Sequence, residues 1–191
     1  MARWSENVGL YCVQHEIISE DQLPWFIYGI EKRVVSICTF PPFFLIALFC
    51  STFWSAVALF VSFFLIRRRA SGFHANSVGS CLCISLLVEV LFLKIVYPFL
   101  RGVQTISITG ICLIIIFYLA PYNHPNMNFT ENEISACRSS ARINTCILSL
   151  ATIVAHFAGL HEISKGLLIG IAMATFLLCL AYISEWRKKN E

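Results

Sequence analysis

The sequence predicts an all-α, polytopic membrane protein with six transmembrane helices, an amphipathic N-terminal helix and both termini in the cytoplasm. Three observations predict it. The 191 residues are 58% hydrophobic and 13% charged, with a mean hydropathy of +0.74, where a soluble domain averages about 45–50% and about 25%. The apolar residues fall in long runs: neither 143–160 nor 166–184 holds a formal charge, and each approaches the roughly 18–20 residues that cross a bilayer. The basic residues gather at alternate ends of those runs. The whole chain, 1–191, reads as one membrane-embedded domain: an amphipathic segment 1–23, a helical bundle 24–184 and a basic tail 185–191.

Taking the elements in order, Trp4, Val8, Tyr11, His15 and Ile18 recur every three or four residues, which puts them on one helical stripe for the membrane surface or the bundle. The first 33 residues are mixed and polar, without a secretory signal pattern. SEDQLP (19–24) interrupts the stripe; Ser19 or Asp21 can cap a new helix and Pro24 fits a first turn. The 33 residues 34–66 carry no charge. As one helix they would run about 50 Å, too long for a hydrocarbon core of about 30 Å. Pro41-Pro42 and Ser51-Thr52 divide them, so two helices are expected, 24–50 and 52–68. A third follows at 79–97, ended by Pro98, and a fourth at 103–119. A polar loop is expected at 120–142, then spans at 143–160 and 165–184.

The positive-inside rule selects this count. Six spans with the N-terminus inside put Arg3, Lys32, Arg33, Arg67, Arg68, Arg69, Arg138, Arg142, Arg187, Lys188 and Lys189 in the cytoplasm. Only Arg101 and Lys165 fall outside, and Lys94 lies within a span. Reading 34–66 as a single span would place the arginine run outside. Nine cysteines are an odd number, and Cys38, Cys50, Cys112, Cys146 and Cys179 sit in apolar runs, as packing residues rather than a disulfide framework.

The stretch GFHANSVGSC (72–81) is the one constellation with chemistry in it. A cysteine nucleophile works as its thiolate, favoured beside a histidinium or at a helix N-terminus. Cys81 meets the second condition if Ser80 caps the third span. His74 meets the first only if the chain turns back, since seven residues of helix separate them by about 10.5 Å; Gly72 and Gly79 would permit the bend. The competing reading is an ordinary polar turn between spans. No metal site is expected, because structural zinc wants four ligands and only these two lie close in sequence. Glu89 and Lys94 are costly inside a span and, five residues apart, share a helix face poorly; bundle or dimer contacts account for them better than a substrate channel. His156 and His161 read as bundle or interfacial residues.

In IRRRASGFHANSVGSC (66–81), an arginine-rich span end precedes a Gly-x-His and a Cys seven residues after the His. With YGIE (28–31) upstream and LAPYNHPN (119–126) downstream, in that order, the chain resembles the accessory gene regulator B (AgrB) family of membrane cysteine endopeptidases in Gram-positive quorum sensing. The resemblance extends over most of the chain. It implies cleavage of an AgrD-like precursor peptide with an amphipathic N-terminal helix and an acidic C-terminal tail, and closure of a thiolactone or lactone ring. On that resemblance Cys81 is the nucleophile, His74 the general base and Glu31 either an orienting acid or a surface partner of nearby cations. Arg67, Arg68 and Arg69 are a stop-transfer cluster and, secondly, a site for the acidic tail; Ser80 would assist at the oxyanion. On the six-span topology the stretch 72–81 faces the cytoplasm, which puts the active site on the cytoplasmic side of the cell membrane. The resemblance further implies a homodimer among membrane lipids, and neither cofactor nor nucleic-acid partner is expected. A small multispan transporter or channel subunit is the alternative; it would explain the spans but leave the joint motif unexplained.

Overall fold

The computed structural model describes residues 3–70, 78–122 and 131–190. Among them the chain is all-α: α1 (Arg3–Gln14), α2 (Leu23–Cys50), α3 (Phe53–Ala70), α4 (Val78–Leu91), α5 (Val103–Leu119), α6 (Glu131–Phe157) and α7 (His161–Asn190). It divides into two compact units, Met1–Pro42 and Phe43–Glu191.

In the first unit, α1 stops sooner than its stripe suggested. Glu16 takes a positive φ of 55°, so His15 and Ile18 lie past the helix end, with the His15 ring 4.2 Å from that of Tyr11. The buried positions of α1 are Ser5 and Gly9, and Gly9 lies against Leu23 and Ile27. Small residues therefore make the helix contact, while Trp4, Val8 and Tyr11 stay exposed, as an interfacial helix requires of its apolar face. A 3₁₀ turn, Glu20–Gln22, leads into α2. There the Ser19 amide donates to Gln22 Oε1 at 3.4 Å, and the Gln22 amide to the Ser19 carbonyl at 3.0 Å. Pro41 and Pro42 fall inside α2 at the limit of the unit, where each removes one helix donor.

In the second unit, α2 ends at Cys50, and the break falls at Ser51-Thr52 as expected. The Ser51 hydroxyl donates to the Ala47 carbonyl at 2.7 Å, while Thr52 Oγ1 accepts the Ser55 amide at 3.4 Å and so caps α3. Phe43 stacks on Phe63 at 4.9 Å and meets Phe60 and Phe64 edge-on, which seals the end of α2 to α3. Past Leu91 the helix widens to a π segment, Phe92–Val96, and tightens to a 3₁₀ turn, Tyr97–Phe99. Pro98 lacks a donor and crowds the carbonyl four residues back, which accounts for the change.

Helix α7 is the centre of this unit: 72% of its apolar stretch is buried, against 17% for Leu82–Phe99. It packs on α3, α5 and α6. The approach to α3 is close. A Cβ on Gly170 would stand 2.6 Å from the Leu59 carbonyl oxygen, and one on Gly166 2.9 Å from Ser55 Cα. These glycines are four residues apart, the small-xxx-small spacing of membrane helix pairs. The order of the contacts makes α3 and α7 parallel. Helix α6 opposes them, with the Ser164 hydroxyl donating to the Thr152 carbonyl at 2.9 Å. Buried Thr109, Thr145, Thr152 and Thr175 each return their hydroxyl to the carbonyl one turn back, which satisfies polar groups without water.

The expected loop 120–142 is shorter than the charges suggested, because α6 is already helical at Glu131. A stripe at Ile134, Cys137, Ala141, Thr145 and Leu148 is at least partly buried, and small residues hide such a stripe from hydropathy. Likewise α7 runs through the expected tail to Asn190. By length and composition, three stretches among the described residues suit a bilayer crossing: Leu82–Phe99, Ile134–Phe157 and His161–Arg187. Ile37–Cys50 and Val103–Leu119 are apolar but shorter, and α3 ends in three arginines.

Candidate functional site

The helix that carries Cys81 is under way by Val78. Cys81 is the fourth residue of α4 as described from Val78, and residues 71–77 before it lie outside the described residues. Ser80 is itself helical rather than a cap residue, which corrects its expected capping role. His74 lies outside the described residues. For Ser80, Cys81 and Glu31 only the backbone is described; Glu31 is on α2 in the first unit.

The chain before His74 is held firmly. Arg67, Arg68 and Arg69 form the last turn of α3, Arg67 half-buried and the other two exposed. Cations there suit the negative end of the helix. The next residue, Ala70, is buried, and its carbonyl accepts the Tyr122 amide at 3.1 Å. Tyr122 follows a cis Ala120-Pro121 bond and is itself buried, its ring 5.2 Å from that of Tyr182. The Tyr182 hydroxyl donates to the Leu119 carbonyl at 2.7 Å. Burial pushes the Tyr122 phenol up from its ordinary value, and the Glu185 carboxylate beside it adds to the effect. Arg142 closes the end of α5: Nε and Nη2 donate to the Phe117 carbonyl at 3.1 and 3.0 Å, with the guanidinium 4.1 Å above the Phe117 ring. One end of the second unit thus gathers the arginine turn, the residues 119–122 and α7 near Tyr182.

Sequence reasoning picked out 119–126 as a motif but missed the roles of Tyr122, Tyr182 and Arg142. Tyr122 stood inside the quoted LAPYNHPN; nothing local tied it to Ala70, fifty-two positions earlier. Cys83 is exposed. Glu89 is wholly buried, and neither carboxyl oxygen has a hydrogen-bond partner among the described residues; Lys94 is exposed. The two do not pair. Among the described residues no group of three or more His, Cys, Asp or Glu is placed to hold a metal ion.

An all-α bundle with bilayer-length apolar helices and an arginine-rich end is an integral membrane protein. The accessory gene regulator B model matches residues 5–178. The chain belongs to the AgrB family, which associates it with processing of the agr pro-peptide and with an AgrD-like substrate. Neither a curated protein nor a solved structure matches the chain.

Proposed function

We propose that the protein is a multi-pass membrane cysteine endopeptidase that removes the C-terminal tail of an AgrD-like precursor and promotes its cyclisation, with the site on the cytoplasmic side. The observation that carries this reading is the extent of the family match, which includes Glu31, Arg67–Arg69, His74, Ser80 and Cys81. Six crossings with both termini inside fit the distribution of basic residues.

In this mechanism the Cys81 sulfur attacks the carbonyl joining the signal segment to the tail. His74 takes the thiol proton and delivers it to the leaving amine. Amides at the start of α4, with Ser80, stabilise the developing oxyanion. The product is an acyl-enzyme thioester and a free tail. A cysteine of the precursor, or a serine in its place, then attacks the thioester, gives up its proton and releases Cys81 as the ring closes. Thioester and thiolactone are close in energy, so a membrane-edge site that excludes water favours ring closure over hydrolysis. The helix-start dipole favours the Cys81 thiolate. Glu31 orients or stabilises the imidazolium, and Arg67–Arg69 hold the acidic tail by ion pairing.

The test is co-expression with the precursor peptide while following the released C-terminal fragment. Cys81→Ala abolishes release; release that survives it sinks the catalytic assignment. Unchanged rates in His74→Ala or Glu31→Gln remove those residues from the mechanism singly. Release catalysed by the chain also separates this reading from a transporter or scaffold.

A further inference from the structure

At the other end of the second unit lies a cavity that the proposed chemistry does not use. Cys81 lies on α4, and Tyr97 stands sixteen residues further along, about 24 Å at a helical rise. Beyond Tyr97 the chain turns through Gly102, at φ 46°, and a cavity of about 440 Å³ opens between this turn, the end of α6 and the start of α7. That volume lies within the ordinary range of small-molecule sites, roughly 300–1,000 Å³. Its polar lining is Arg101, Thr105, His156, His161, Glu162 and Lys165.

The charge in this lining is one-sided. Glu162 is its one acid and is already engaged: Oε2 accepts the Tyr97 hydroxyl at 2.6 Å and the Thr52 hydroxyl at 3.2 Å, while Oε1 stands 3.8 Å from Lys165 Nζ. Arg101 makes no ion pair among the described residues. The His156 and His161 rings meet edge-on at 5.3 Å, so each adds a ring N–H to the same region. Helices α5 and α7 both begin here and α6 ends here, so two positive helix ends and one negative end border the cavity, with Arg101 the cation that Glu162 does not offset. Arg101, which no acid of the lining offsets, makes an anion the complement of the site.

The geometry points to a phosphate-binding cavity, taking the phosphate of an anionic phospholipid or the free ion. The rim favours the lipid. Phe99, Val103 and Phe157, each next in sequence to a lining residue, are all exposed, as side chains at a membrane interface are. Acyl chains can lie on this rim while the headgroup enters the cavity, the arrangement by which basic pockets between transmembrane helices hold anionic headgroups at the cytoplasmic face, here with Arg101 and Lys165 at the outer face.

The test uses the full-length protein, stripped of lipid and placed in nanodiscs of phosphatidylcholine with a minor share of phosphatidylglycerol. Co-purifying phosphatidylglycerol is measured, and inorganic phosphate is titrated into discs of phosphatidylcholine alone. Wild-type protein enriches phosphatidylglycerol over the bulk. Arg101→Gln, an exposed side chain whose loss spares the core, lowers that enrichment about tenfold, the worth of one charge-assisted contact, and Arg101→Lys restores much of it. Lys165→Gln acts in the same direction. Phosphate binding that depends on Arg101, without lipid enrichment, assigns the site to the free ion. Wild type and Arg101→Gln behaving alike toward both probes overturns the proposal.

Discussion

The amide of Tyr122 donates to the carbonyl of Ala70 at 3.1 Å, joining the turn after α5 to the last residue of α3. The bond spans fifty-two positions of sequence and fixes the point where the chain leaves the arginine turn toward His74. It is held in turn by the Tyr122–Tyr182 ring contact and the Tyr182 hydroxyl on Leu119. Losing either ring should loosen the lock without touching a reacting group.

Tyr182→Phe removes one hydrogen bond and keeps the stacking, so it should lower stability by about 1 kcal/mol. Tyr122→Ala removes a buried ring and should cost about 3–5 kcal/mol. Thermal unfolding in mild detergent checks both. In the processing assay, folded Tyr122→Ala should lose rate while the folded Tyr182→Phe enzyme keeps most of it. A Tyr122→Ala enzyme that is stable and fully active would show that the lock has no bearing on the site.

Gly166 and Gly170 carry the second prediction. At Gly170 a Cβ would press on backbone of α3, 2.6 Å from the Leu59 carbonyl oxygen, and backbone cannot rotate out of the way. Gly170→Ala should therefore push α3 from α7 and cost about 1–3 kcal/mol, with Gly166→Ala similar. Gly110→Ala is the control, because nothing lies within 4 Å of its Cβ position. The measurement is the yield of monodisperse protein and its unfolding temperature. Equal behaviour of Gly170→Ala and Gly110→Ala would contradict the close helix contact.

Glu89 carries the third. Its carboxyl is fully buried, without a hydrogen-bond partner among the described residues, and such a group costs roughly 1–3 kcal/mol. Glu89→Leu should raise stability by about that amount. Glu89→Gln keeps a polar group at the position and should gain little. Unfolding curves decide it: a destabilised Glu89→Leu protein would mean that the carboxyl has a partner after all.

Legibility in the sequence followed how local each signal was. The break between α2 and α3 and both limits of α5 could be read, because turn chemistry and apolar runs act over a few residues. Arg67–Arg69, ending one helix, were readable for the same reason. The first part of α6 was not: Ala141 is buried and Cys137 partly buried there, but small residues among polar ones leave no hydropathy signal. The outward stripe of α1 was legible as a pattern, whereas packing through Ser5 and Gly9 was not. The Gly166–Gly170 spacing lies in plain view, but only the fold names α3 as its partner. Tyr122 meeting Ala70 is tertiary in the same sense.

The arginine turn offers the last prediction. Arg68 and Arg69 are exposed at the end of α3, so neither is needed to fill the core, and replacing either with glutamine should change stability by under about 0.5 kcal/mol. If they hold an acidic precursor tail, the loss should appear in KM, with kcat nearly intact, since an ion pair away from the reacting carbonyl binds ground and transition states alike. Each charge removed should raise KM several-fold at low salt, and the difference should shrink near 0.5 M salt as screening shortens to a few ångströms. A precursor with its tail acids changed to glutamine supplies the cross-check: it should bind wild type and Arg68→Gln equally. Arginine variants that lower kcat alone, or that discriminate equally against the neutral tail, would place the turn in topology rather than in substrate binding.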